Sequence, residues 1–328
     1  MARRRFVVAC AGVLLVWPLP ALSQGAQKMY RLGYLGQGSE SAERTGYLGT
    51  LLENLRSLGY AEGRNLIVES RFADGNPQRL TALAEELVRL RPDVIAVGSA
   101  GLAEVLLEKT TRIPIVALAA GQLEAEKSVQ NLARPGGNLT GMQLYSPETM
   151  GKRLQLLQEV VPDLRRVAVL RGVPFEGPGY ELCRGATDRA ATTLGIRVRY
   201  VQFRTDEDLD RLFEGMAKEG EQGLLVWGNP HLNLHRDKIA ELTVRYRLPA
   251  VHDVRGNGQE LLTYSADLDE VRREGANYVD RIFKGASPAE LPIGQPKTFL
   301  LIVNLKTAKA IGLTIPQSLL LRADRVIQ

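Results

Sequence analysis

Short apolar runs alternate along the chain with stretches in which apolar positions recur every three or four residues. In the first half the runs read as strands at Arg31–Gly36, Leu66–Phe72, Val94–Ser99, Ile113–Leu118 and Leu139–Tyr145. In the second half they read as strands at Val167–Arg171, Val198–Phe203, Leu224–Trp227, Ala250–Asp253 and Leu261–Tyr264. Between them, Leu80–Arg91, Pro147–Val160, Glu207–Glu219 and His235–Tyr246 carry the period of helices that bury one face. Strand–helix alternation of this kind predicts an α/β fold of parallel sheets with helices on both faces. Ten strands would make a long single sheet, whereas two sheets of about five match the usual size. The division falls at Tyr145-Ser146-Pro147, where a helix start follows a strand end, and no Pro/Gly/Ser-rich tether separates the halves. No short-period repeat or low-complexity segment is present, which sets solenoids aside.

The N-terminal segment has a different pattern. Arg3, Arg4 and Arg5 precede an apolar run from Phe6 to Leu19, and Ala21-Leu22-Ser23 follows as a small-x-small site, the layout of a cleavable secretory signal over residues 1–23. The run is shorter than the roughly 20 residues a spanning helix needs, so a soluble, exported mature chain is expected. The formal net charge of +5 falls by those three arginines to +2, which removes the main compositional support for nucleic acid as a partner. Of two cysteines, Cys10 leaves with the signal, and Cys183 reads as a small hydrophobe in a helix with no internal disulfide to form. At 328 residues and 45% hydrophobic, the chain can bury a sizeable core in about two domains.

Candidate chemistry gathers at the carboxyl ends of the strands, where open α/β sheets bind ligands. Gly36-Gln37-Gly38-Ser39-Glu40-Ser41 lacks the third glycine of a dinucleotide fingerprint, and Glu40 and Glu43 put negative charge where a pyrophosphate would sit, so no nucleotide cofactor is expected. Val97-Gly98-Ser99-Ala100-Gly101 and Ala119-Ala120-Gly121 repeat the small-residue pattern at two further strand ends. Small residues there leave a crevice, and helix N-termini beside it favour an anionic group such as a carboxylate. The second half offers bulkier ends: Arg171-Gly172-Val173-Pro174-Phe175, Trp227-Gly228-Asn229-Pro230 and His252-Asp253. These groups suit a small zwitterion or an aromatic acid. Ser99 is expected to hold the carboxylate, Asp253 to pair with an amino group across the cleft, and Trp227 to lie at or beside the cleft.

Catalytic signatures are missing. His231 and His235 share a helical spacing, but Leu232 stands where a zinc HExxH motif has its glutamate, and no third metal ligand is evident. There is no G-x-S-x-G elbow, no G-x-x-x-x-G-K-[ST] loop and no distinct carboxylate pair. No catalytic residue, metal or cofactor is assigned.

Three stretches closely resemble the TrpX-like ABC transporter substrate-binding proteins: Leu132-Ala133-Arg134-Pro135-Gly136-Gly137-Asn138-Leu139-Thr140-Gly141, Tyr278–Ala286 and Asn304–Pro316. The likeness runs from about Tyr30 to the end. It implies two doubly wound parallel-sheet lobes joined by a hinge of three crossings, the periplasmic binding protein-like I arrangement, with a ligand in the cleft and no catalytic activity. By the same resemblance, lobe 1 takes residues 28–143 and 264–290, and lobe 2 residues 144–263 and 291–328. Gln37, Ser99, Ala120, the crossing at Tyr145 and the loop at Asn229 match the family's cleft positions; Gly38, Ala100, Arg171, Trp227, His252, Asp253 and Tyr264 complete the expected ligand-binding set. The loop at Arg171–Phe175 departs from an Asn-Pro turn common in the family, and Gln122–Lys127 lacks a common Asp-Pro pair. The implied partners are a small-molecule ligand and an ABC permease in the inner membrane, served by a periplasmic monomer. A periplasmic sensor presenting its bound form to a membrane receptor uses the same cleft and stays open as an alternative; a secreted α/β enzyme is disfavoured by the missing motifs.

Overall fold

The computed structural model describes residues 28–121, 123, 129–144, 147–172, 178–228, 230–253 and 258–328, with the backbone alone described at Pro147, Pro178, Pro230 and Asn233. Strands β1 (Tyr30–Gly36), β2 (Leu66–Phe72), β3 (Val94–Val97), β4 (Ile115–Ala120) and β5 (Leu139–Gln143) form a parallel sheet in the order β2-β1-β3-β4-β5. Strands β6 (Arg166–Arg171), β7 (Arg197–Gln202), β8 (Gly223–Trp227), β9 (Ala250–His252) and β10 (Leu262–Ala266) repeat that winding as β7-β6-β8-β9-β10 in a second sheet. In each sheet the strand order reverses once, between β1 and β3 and between β6 and β8. Such a switch point parts the loops on either side and opens a crevice at the strands' carboxyl ends.

The second sheet continues through β11 (Phe299–Asn304), antiparallel to β10 from Leu262↔Val303 to Ala266↔Phe299, and β12 (Arg325–Ile327). The sequence reading did not assign either strand. The antiparallel step follows from the chain's path: after Ala266 it departs into the first lobe and returns at the same end of the same edge, so β11 must run back down the sheet.

Helices cover both faces of each sheet. In lobe 1, α2 (Tyr47–Ser57) and α10 (Leu268–Phe283) pack Leu48, Leu51, Leu55, Val271, Val279 and Phe283 against Leu32 and Tyr34. On the other face, α3 (Leu80–Arg89) and α4 (Ala100–Leu107) set Leu83, Leu87, Leu102 and Leu106 against Leu35, Ile95 and Val97. In lobe 2, α5 (Pro147–Val160) and α6 (Pro178–Leu194) contribute Met150, Leu154, Leu157, Tyr180 and Cys183 to one core. The opposite core holds Leu209, Phe213 and Met216 of α7 (Asp206–Lys218) with Ile239 and Leu242 of α9 (Arg236–Arg245). Each such side chain contributes about 1.5–3 kcal/mol on leaving water. Short α1 (Glu40–Thr45) buries nothing, whereas α8 (Pro230–Leu234) buries Leu232; α11 (Leu305–Ile311) and α12 (Gln317–Leu320) close the chain.

Sheet membership places the crossings between lobes. Leu144 N–H donates to Ala120 O at 2.7 Å and so stays on the first sheet, and α5 begins at Pro147. The second crossing follows Ala266 and the third precedes Phe299. Tyr264 lies inside β10, while Leu291 and Ile293 pack in the first lobe's cores and Gly294 O accepts Gln143 N–H at 2.9 Å. Pairing in the second sheet ends at Ala266 on the way out and resumes at Phe299 on the way back.

Candidate functional site

The glycine-rich turn after β1 is shaped by one carboxylate. Glu43, on α1, accepts the Tyr34 hydroxyl on Oε2 at 2.5 Å and the Gly38 N–H on Oε1 at 3.0 Å. A Cβ at Gly36 would stand 2.9 Å from Glu43 Cγ and 3.0 Å from Phe72 Cδ1, so the strand end must be glycine for that side chain to lie across it. The backbone donor that would greet a pyrophosphate already serves an internal anion. Burial, and then the charge of Glu43, push the Tyr34 phenol far above its ordinary value. Gln37 presents an exposed side chain and Gly38 is half-buried.

Across the switch point, Ser99 is the N-cap of α4, with φ −149° and ψ 162°, and its Oγ accepts the Leu102 N–H at 3.4 Å. The cap turns the first N–H groups of α4 toward the strand ends, where the helix dipole favours an anion. Ser99 and Ala100 are half-buried, whereas Ala120 is fully buried and offers the cleft no side-chain surface. Tyr47 lies over the adjacent turn: a Cβ at Gly98 would meet its Cδ2 at 3.2 Å. Burial raises the Tyr47 phenol, with Arg272 opposing and Glu43 adding to the shift, which places all three side chains at this end of lobe 1.

In lobe 2 the matching switch point lies between Arg171 and Trp227. The Arg171 guanidinium sits 4.6 Å from the centroid of the Tyr180 ring. Trp227, expected at or beside the cleft, is 2% exposed and meets Tyr180 and Tyr200 edge-on at 5.9 and 5.7 Å. Alternation along β8 turns the indole, with Leu225, into the core under α5 and α6. His252 is buried as well; its Nε2 has no hydrogen-bond partner among the described residues, and burial lowers its pKa to about 4. Tyr264 is half-buried and stacks on Phe299, with centroids 5.7 Å apart. Tyr145 and Asn229 lie outside the described residues.

Asp253 holds the end of β9 against the end of β8. Its Oδ1 accepts the Gly228 N–H at 2.6 Å, and its Oδ2 lies 4.0 Å from Arg153 Nη1. Arg153, Tyr47 and Arg272 were absent from the sequence reading, and Glu43 entered it only as negative charge beside the glycine turn. Arg153 had a signal: on α5 it falls among Met150, Leu154 and Leu157, on the apolar stripe where a charged residue is out of place.

Among the described residues no group of three or more His, Cys, Asp or Glu is placed to hold a metal ion, and no helix is long and apolar enough to cross a membrane. The rings of His231 and His235 lie 4.9 Å apart, but His235 Nδ1 is engaged by Asp206 at 2.7 Å and His231 Nε2 lies 3.2 Å from Arg204 O.

Known proteins share this arrangement. A family model described as ABC transporter substrate binding protein matches residues 40–327. A tyrosine-binding protein of Clostridioides difficile (strain R20291) is 26% identical over 116 residues, which is 35% of this chain and 33% of that protein, so the match spans about a third of the curated relative. Among solved structures, a conserved domain protein from Vibrio cholerae is similar with a TM-score of 0.81 at 23% identity, over 91% of this chain and 100% of that one. The ABC domain in complex with L-Trp from Streptococcus pneumoniae gives a TM-score of 0.81 at 18% identity, over 92% and 100% of the two chains. At these identities the likeness establishes the fold, two lobes of the type I periplasmic binding protein arrangement.

Proposed function

Since the chain belongs to the family of ABC transporter substrate binding proteins, a family of binding proteins rather than enzymes, we propose that it captures an amino acid between its lobes and hands it to the permease of an ABC importer. The observation that carries this reading is the pairing of two switch points of opposite character. Lobe 1 offers a capped helix N-terminus at Ser99, suited to a carboxylate, and lobe 2 offers a carboxylate at Asp253, suited to an ammonium. Relatives whose names give tyrosine and L-Trp as bound molecules support an α-amino acid as the class. A ligand touching both walls ties the lobes together, and closure by a hinge then excludes water from the head group. Residues 1–23 serve as a cleavable signal in this reading, and the protein works in the periplasm as a monomer.

Calorimetric titration with L-tyrosine, L-tryptophan and the other common amino acids tests the reading. One of them should bind at one site per chain, and Ser99→Ala should weaken that binding about tenfold or more, the worth of one charge-assisted hydrogen bond, while leaving the melting temperature of the unliganded protein nearly unchanged. Equal affinity in the variant would remove Ser99 from the site.

A further inference from the structure

An arginine at the rim of lobe 1 has no part in the reading so far. Helix α10 runs antiparallel to the strands it covers. Its last residue, Phe283, packs on Tyr30 at the start of β1, with ring centroids 4.7 Å apart, and its first turn follows the second crossing. Midway along it, Gly275 lies so close to β4 that a Cβ there would stand 3.1 Å from Leu118 Cδ2 and 3.5 Å from the Leu118 carbonyl oxygen. Arg272, three residues nearer the crossing, is therefore about 4.5 Å further toward the carboxyl ends of the strands. Because Val97 pairs with Ala117, that level also holds Ser99 and Ala120. Arg272 borders the buried stripe of Val271, Gly275, Ala276 and Val279, where a charge is out of place. Its guanidinium has few partners: Nη1 meets Asp269 Oδ1 at 3.3 Å, Nε is buried with no hydrogen-bond partner, and Nη2 makes no bond among the described residues. Asp269 is mostly exposed, so that pair contributes little. Glu43, whose charge opposes that of Arg272 at the Tyr47 phenol, has one oxygen on the Tyr34 hydroxyl and the other on the Gly38 N–H. Tyr47 in turn lies over Gly98, beside Ser99. A buried donor on a cation with no acceptor is a cost to the fold, and no contact among the described residues of lobe 1 offsets it.

We propose that Arg272 is a ligand-binding residue: its guanidinium, beside Tyr47 at the lobe 1 strand ends, pairs with the carboxylate that the α4 N-terminus also serves. The proposal rests on the amino-acid reading above, and on its carboxylate half alone. A carboxylate has two oxygens and about four lone-pair sites, so it takes an arginine and backbone N–H groups together. Donors at the α4 N-terminus alone would accept a neutral carbonyl as well as an anion. A fixed positive charge beside them sets the carboxylate apart from an amide of the same shape. Half-burial of Arg272 keeps solvent from screening much of that difference. The ligand then supplies acceptors that the guanidinium otherwise lacks.

The test is calorimetric titration of the common L-amino acids and their α-carboxamides, beginning with L-tyrosine against L-tyrosinamide and L-tryptophan against L-tryptophanamide. The amide keeps the ammonium and the side chain and loses only the negative charge. Wild-type protein should prefer the acid that it binds over its amide by about a hundredfold or more. Arg272→Met should weaken the acid about tenfold or more and the amide by less than about threefold. Arg272→Lys, which keeps the charge without the planar fork, should lose an intermediate factor. Because Arg272→Met removes an unsatisfied buried donor, the unliganded variant should melt no lower than wild type. An arginine that served only the packing of α10 and Tyr47 would instead weaken acid and amide by one common factor and lower the melting temperature when replaced. If wild-type protein prefers an amino acid to its amide and both variants keep that preference in full, Arg272 is not in the site and the amino-acid reading stands. If wild-type protein binds no common amino acid, or binds none better than its amide, the carboxylate half of the reading falls and this proposal falls with it.

Discussion

His252 shows how one buried side chain links pH to stability. Its ring is enclosed at the end of β9, and burial lowers its pKa from the ordinary 6.5 to about 4. The folded state therefore holds the neutral ring while the unfolded chain takes up a proton below 6.5. A depressed folded pKa gives a contribution that is fully present above the unfolded value and is lost as pH falls from 6.5 toward about 4. At about 1.4 kcal/mol per unit, the loss over that window is on the order of 3 kcal/mol. His252→Gln cannot take up this proton, so its urea midpoint should fall less than that of wild type between about pH 7 and about pH 4.5. Parallel curves for the two proteins would show that the ring is charged or solvated when folded. Single residues were also the least legible part of the sequence. Glu43 and Arg153 act through partners that only folding supplies; the Tyr264 carbonyl that accepts the Arg153 Nε–H lies 111 positions away, and no local spacing announces such a contact. The indole of Trp227, expected at or beside the cleft, packs in the core, because a residue that ends a strand can turn to either face.

At the scale of elements, the two crossings that flank α10 are held as a ribbon. Asp267 N–H donates to Thr298 O at 3.0 Å, one step beyond the last ladder pair Ala266↔Phe299. Glu270, in the first turn of α10, then accepts Lys297 N–H and Thr298 N–H on its two oxygens, each at 3.0 Å. Burial alone would raise the Glu270 carboxyl, but the N–H donors of Lys297 and Thr298 outweigh it and lower its pKa, so the clamp stays charged at neutral pH. Glu270→Ala should speed hydrogen exchange at the Lys297 and Thr298 amides about tenfold or more relative to neighbouring amides. Unchanged exchange at both would mean that the clamp is not formed in solution. Most strands were legible because a strand buried on both faces is an unbroken apolar run, as in Val94–Val97 and Leu224–Trp227. The three-residue β12 is too short to carry a period, and β11 runs straight into the Asn304-capped α11, so neither bears the marks that announced the other ten.

For the whole molecule, two sheets wound alike set their switch points at corresponding places, one framed by small residues and a helix N-terminus, the other by charged and aromatic ones. The alternation of runs and helices foretold the two-sheet architecture. Which of the strand-end groups turn outward depended on side-chain alternation and burial, visible only once the strands were paired. Capture of an amino acid by this architecture is tested most directly by native mass spectrometry of the protein purified without denaturation. One molecule with the mass of an α-amino acid should be retained per chain and be released on unfolding. A protein that retains a ligand with no ammonium or no carboxylate group, or that emerges empty and takes up none of the common amino acids when they are added, would contradict it.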